Sequence, residues 1–198
     1  MATTEYIWSG MTPVDAAKLL AGFDRPWWIA GGWAIDLFLG RETRRHADID
    51  VAILRSDELT LRAVLPAWDI RVAHDGALHS WSGNRPLELP YHQFWMRRRS
   101  DDPWDMDVLF EDRADHQWRY RRDRRVTLPL ERFGRRTEGG IPYVAPEVAL
   151  LYKAKGWEID KNQADFDRAM PALDGTARQW LSEALDRAHP GHPWRMVL

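Results

Sequence analysis

The stretch GGWAIDLFLGRETRRHADIDVAIL, residues 31–54, decides how this chain is read. It opens on Gly31-Gly32, runs through an apolar segment to Gly40 and crosses a basic cluster. It then sets Asp48 and Asp50 in an otherwise apolar, strand-like run. Charges within a core strand are costly unless they have partners. Residues two apart on a strand share a face, so Asp48 and Asp50 project together while Ile49 and Val51 turn to the core. Two aligned carboxylates repel unless a cation lies between them or one keeps its proton. Magnesium suits such a pair, being a hard ion usually held by one or two carboxylates plus substrate phosphates. D-x-D alone also admits a plainer reading, ion pairing with Arg44, Arg45 or Arg55 at a strand end.

The residues on either side sharpen this. Gly31 and Gly32 follow a short strand, RPWWIA, and lead into a short helix, WAIDLFLG. Glycine lets the backbone approach a ligand closely, and a helix N-terminus offers N–H groups and a favourable dipole to phosphate. A tight turn needing glycine only for its geometry is the alternative. Downstream, WDMDVLF, residues 104–110, again places acids in an apolar strand, at Asp105 and Asp107. If that strand neighbours ADIDVAIL, Asp107 completes a three-carboxylate site suited to metal-guided in-line displacement at phosphorus. Asp105 competes for the same role; Asp107 is preferred because Met106 and Val108 flank it.

The rest of the chain reads as mixed α/β up to about residue 145. A helix is expected over 13–22, with Thr12 as N-cap and Pro13 at its first position. SDELTLRAVLPAW reads as a helix capped by Ser56. WDIRVA, HQFWMRRR, WDMDVLFED and HQWRYRRD read as strands, DGALHSWSGNRP as a loop, and 125–145 as extended pieces around Gly139-Gly140. Three helical segments follow Pro146, the last two divided by LDGT. The expected organisation is an α/β (α+β) domain over 1–145 and a helical subdomain over 146–198.

In order, these elements resemble the DNA polymerase β-type nucleotidyltransferase superfamily: Ala30-Gly31-Gly32, Asp48-Ile49-Asp50, then Met106-Asp107-Val108 on a later strand. The tract GGWAIDLFLGRETRRHADID is similar, more narrowly, to aminoglycoside nucleotidyltransferases. GIPYVAPEVALLYKAK with KNQADF resembles the C-terminal part of aminoglycoside adenylyltransferase-like proteins. The resemblance implies a nucleotidyltransferase fold, with a small mixed twisted sheet, flanking helices and a C-terminal helical subdomain. It implies that Asp48 and Asp50 bind Mg2+ with the nucleotide triphosphate, and that Asp107 is a third ligand or the base toward the acceptor hydroxyl. Gly31 and Gly32 would hold phosphates, with Arg44 and His46 near the nucleotide. Lys153 and Lys155 lie about 200° apart on a helix, so one of them, Lys153, is expected to reach the triphosphate as a point charge. Asp165 is expected to support its own helix through Lys161.

The implied activity is transfer of AMP, or another NMP, from ATP or another NTP to a hydroxyl of a small molecule such as an aminoglycoside-like antibiotic. Two other roles share the motifs: a toxin–antitoxin partner protein acting on protein or RNA, and a non-catalytic nucleotide binder. Composition narrows the choice. Across 198 residues, 29% are charged and the formal net charge is -2, unlike a generic nucleic-acid binder. The arginines of RYRRDRR, 119–125, read as a solvated face. The absence of cysteine excludes disulfides, thiolate metal sites and cysteine nucleophiles, and permits a cytoplasmic location. No apolar run has the length of a membrane helix, and MATTEYIWSG lacks the pattern of a secretory signal. Among relatives of this kind a homodimer is an expected assembly.

Overall fold

The computed structural model describes residues 6–198. The reading of the first ten residues as no secretory signal rests in part on residues 1–5, which lie outside the described residues. By compactness the chain forms two units. One is the described part of Met1–Ile29 with Arg44–Glu111, and the other is Ala30–Thr43 with Asp112–Leu198. The expected helical subdomain, 146–198, falls within the second.

The first unit opens with α1, Pro13–Leu19, which continues as a 3-10 turn through Gly22. Thr12 caps it: its hydroxyl accepts from the Asp15 N–H, and the Asp15 carboxylate reaches back to the Thr12 N–H, both at 3.3 Å. This reciprocal box satisfies two N–H groups that the first turn would otherwise leave open. Strand β1, Trp27–Ile29, follows. The chain then leaves for α2, Gly31–Leu39, which belongs to the second unit, and returns at Arg44 for β2, Asp50–Leu54. A 3-10 turn at Arg55–Asp57 leads to α3, Glu58–Val64. Ser56 sits inside that turn, so the expected Ser56 cap is replaced by an uncapped entry at Asp57.

Strands β3, Asp69–His74, and β4, Ala77–Ser80, form a hairpin where a loop was expected. Asp75 and Gly76 make its turn with φ of 48° and 74°. Paired positive φ values in Asp-Gly are the turn that matches the twist of a tight hairpin. Strand β5, Gln93–Arg97, and β6, Met106–Ala114, complete the sheet. The order within this unit is β4-β3-β5-β6-β2-β1. Only β2 and β6 run parallel, so the sheet is mixed.

Alternation gives this sheet two unlike faces. Ile29, Val51, Ile53, Ile70, Val72, Phe94, Met96, Met106, Val108 and Phe110 are all buried on one face. Phe94 and Phe110 meet edge-on at 5.5 Å, a preferred aromatic geometry. Ala16 and Leu20 from α1, and Leu61 from α3, are buried in the same unit. On the other face the register brings together Asp50, Asp107, Gln93, Trp95, Arg97, Asp69 and Arg71, all half-buried.

The second unit holds the end of β6 paired with β7, Gln117–Arg119, and β7 with β8, Thr127–Pro129. A short helix, α4, Leu130–Phe133, interrupts the extended stretch. Strands β9, Gly134–Arg136, and β10, Pro142–Val144, make a second hairpin. Then come α5, Pro146–Ala154, α6, Asp160–Ala169, and α7, Gly175–Ala188. Asp174 within LDGT caps α7 through the Ala177 N–H at 2.8 Å. Helix α2 packs on α5 and α6, and α5 on α7. Val148, Leu150, Leu151, Phe166, Leu181 and Leu185 are buried there. Among the described residues, no helix is long and apolar enough to cross a membrane.

Candidate active site

The polar face of the first unit's sheet gathers around β2 and β6. Strand β2 is four buried apolar residues begun by an acid, and the strand starts later than its sequence indicates, at Asp50. Asp48 lies in a bend two residues earlier and is exposed; Ile49 between them is fully buried. The D-x-D therefore holds its expected alternation although only its second acid stands on the strand. Asp50 is the register partner of Asp107 on the parallel strand β6. Partnered strands lie about 4.8 Å apart, and both side chains leave the same face. The Asp107 N–H donates to the Ile49 carbonyl at 3.0 Å. The third acid is thus tied by its backbone to the residue between the first two.

Asp105 does not share this position. It precedes β6, is buried, and gives its N–H to Met96 on β5. Gln93, which the sequence did not mark, donates from Nε2 to Oδ2 of Asp107 at 3.2 Å. Its signal was faint: two residues before Trp95 on an alternating strand, it shares the face that carries the acids.

Other charges near this face are already committed. Asp69 receives Arg71 at 2.7 Å and Arg97 at 2.9 Å. Burial pushes its carboxyl up, but the two guanidiniums outweigh that and hold it below the usual carboxylate value. Arg55, a possible partner for the D-x-D, donates to the Leu87 and Tyr91 carbonyls, at 3.2 and 2.6 Å. Arg44 is half-buried and donates to the Arg45 carbonyl; His46 is buried just ahead of Asp48.

A metal fits this donor set in kind. Asp50 and Asp107 offer only oxygen from two registered carboxylates, the number magnesium commonly takes before substrate phosphates complete its shell. Among the described residues, no group of three or more His, Asp or Glu side chains is gathered for a metal. Exposed Asp48 would have to turn toward the pair to make a third.

The glycines stand in the second unit. Gly31 and Gly32 are the first residues of α2, with Ala30 extended before them as N-cap. Gly31 has φ of 61°, a conformation that disfavours any residue with a side chain. Ala30 has no side chain able to cap, and the N–H groups of a first turn take partners from outside the helix. Helix α2 is closed by Gly40 in the left-handed conformation, and Asp36 accepts from Thr43 Oγ1 at 2.5 Å.

Lys153 on α5 is held by its own unit. Its ammonium lies 2.8 Å from Asp165 Oδ2 and 3.4 Å from Asn162 Oδ1. Asp165 is fully buried and takes Lys153 rather than Lys161 as its close partner, because the facing helix supplies a cation at the buried side.

With the fold and these positions in view, the chain was compared with known proteins. The model of the family described as aminoglycoside-2''-adenylyltransferase matches residues 14–127, more than half of the chain. A 2''-aminoglycoside nucleotidyltransferase of Escherichia coli is 43% identical over 61 residues, covering 29% of this chain and 34% of the relative. One of Klebsiella pneumoniae matches to the same extent. The match thus spans about a third of the length of these curated relatives. Among solved structures, ANT(2'')-Ia in complex with adenylyl-2''-tobramycin aligns with a TM-score of 0.58 at 19% identity. That alignment covers 86% of this chain and 92% of the other. The lincomycin-bound lincosamide antibiotic adenylyltransferase LnuA aligns at 0.59 and 15% identity, over 83% of this chain and 100% of the other. These likenesses show the fold.

Proposed function

Since the chain belongs to the aminoglycoside-2''-adenylyltransferase family, we propose that it transfers AMP from ATP to a hydroxyl of an amino-sugar antibiotic and releases pyrophosphate. The observation that carries this is the register of Asp50 with Asp107, clamped by the Asp107–Ile49 hydrogen bond. Two carboxylates side by side at one face of a sheet are an arrangement that a bound cation favours.

In this reading Asp50 and Asp107, joined by Asp48, would hold Mg2+. When bound, the ion neutralises charge on the triphosphate. Gly31 and Gly32 supply first-turn N–H groups to phosphate oxygens, and Arg44 and His46 line the nucleotide. Lys153 would have to leave Asp165 to join them. Asp107, oriented by Gln93, takes the proton of the acceptor hydroxyl. The hydroxyl oxygen forms a bond to the α-phosphorus as the bond to the pyrophosphate oxygen breaks. A cytoplasmic location and a homodimer complete the proposal; size-exclusion chromatography with light scattering tests the dimer.

The deciding experiment is a pyrophosphate-release screen of ATP, GTP, CTP and UTP against aminoglycosides and lincosamides. Release with ATP and an aminoglycoside is expected, together with drug resistance on expression. Release with no acceptor in the panel would move the chain to the partner-protein or binding-only roles that share its motifs.

A further inference from the structure

Next to the reaction centre stands an aromatic cluster for which that chemistry has no use. Trp95 on β5 is the register partner of Asp107. Because the Asp107 N–H is given to Ile49, just ahead of β2, Trp95 and Asp107 form a non-hydrogen-bonded pair, the kind whose side chains lie closer. Tyr6 and Trp8 pack edge-on against the Trp95 ring, at 4.8 and 4.9 Å. Their segment is fixed by backbone: the Trp104 N–H donates to Ile7 and the Ser9 N–H to Trp104, both at 2.8 Å. Trp104 backs Trp95 at 5.7 Å, and Arg97 lies over the Trp104 ring at 4.2 Å while bound to Asp69. Tyr6, Trp8 and Trp95 are nonetheless only half-buried. The Trp95 indole nitrogen is buried and donates to no group among the described residues.

A large, braced aromatic surface beside carboxylates has the chemistry that recognises a cationic sugar. Ring faces take the C–H face and ammonium groups, and acids balance the charge. Within the sheet, β5 flanks β6 on the side away from β2.

We propose that Trp95, with Tyr6 and Trp8, is the wall that seats the acceptor and so sets acceptor specificity. This rests on the reading of Asp50 and Asp107 as the reaction centre. The test is titration calorimetry on the full chain with tobramycin, with lincomycin, and with a magnesium-loaded non-hydrolysable ATP analogue. Trp95→Ala is expected to weaken tobramycin by about tenfold and Trp95→Phe by less, with the analogue within about twofold of wild type. Trp8→Ala, on the segment at the chain's edge, serves if Trp95→Ala does not fold, and is expected to act in the same direction. Unchanged tobramycin affinity in the folded variants, or equal weakening of the analogue, overturns the wall while leaving the reaction reading intact. A wild-type chain that binds neither tobramycin nor lincomycin overturns the amino-sugar reading, and the wall with it.

Discussion

At the scale of single residues, the most informative position is Asp107. Its sequence neighbours, Met106 and Val108, mark it as an acid in a core strand, and the structure sets it opposite Asp50 and in reach of Gln93. Asp107→Asn keeps the shape and the Gln93 contact but removes the proposed base, so kcat is expected to fall by about 10²–10⁴. Melting temperature should hardly move, because the replacement is isosteric; steady-state assays beside thermal melts check both. Lys153 shows the opposite case. The sequence offered it as a free cation, whereas the fold spends it on buried Asp165. Asp165→Ala strands an ammonium that is itself mostly buried, and the expected cost is about 3–5 kcal/mol by denaturant titration. Replacing both members by apolar residues should recover much of that loss. Nothing within the sequence distance of ten residues reveals such a pair, since the partner is chosen by how α5 and α6 pack.

At the scale of elements, capping and turn residues were the most legible. Thr12-Pro13 started a helix, Asp174 restarted one, and Gly40 ended one as their chemistry requires. The β3–β4 hairpin was missed because a polar strand with exposed residues looks like loop; only Asp75-Gly76 betrayed it. The last element, the segment after α7, was not legible at all. His192 there donates from Nε2 to the Ala154 carbonyl at 3.0 Å and accepts the Trp194 N–H at Nδ1 at 3.2 Å. Trp194 stacks on Phe166 at 4.2 Å. Acceptance at Nδ1 needs the neutral ring. Burial holds His192 below its ordinary value of 6.5, against the pull of the Ala154 carbonyl. His189 is lowered too, by burial first and then by His192, Arg122 and Lys155. The unfolded chain then binds more protons than the folded one just below pH 6.5. Stability is therefore full above that pH and is lost as pH falls toward the folded values. Thermal melts from pH 7.5 to 5 should show a decline that His192→Gln makes shallower; an equal slope in the variant would remove His192 as its source.

At the scale of the whole molecule, the proposed chemistry depends on an ion that two registered carboxylates can hold only with phosphate's help. Transfer is accordingly expected to cease with excess EDTA and return with added Mg2+, measured as pyrophosphate release, while the melting temperature without nucleotide stays nearly constant. A structural metal would instead lower it on chelation. The sequence by itself determined the fold class, the alternation that keeps Ile49 and Val51 inside with the acids outside, and the helix that opens at Gly31-Gly32. These depend on local periodicity and on backbone freedom, which neighbouring residues fix. Only the tertiary structure decided that Asp107 stands in register with Asp50, that Gln93 and Trp95 flank it, and that Lys153 answers to Asp165. Those choices depend on which strand lies beside which and at what register. Register is set by the burial of one whole sheet face at once, a property no short stretch of sequence carries.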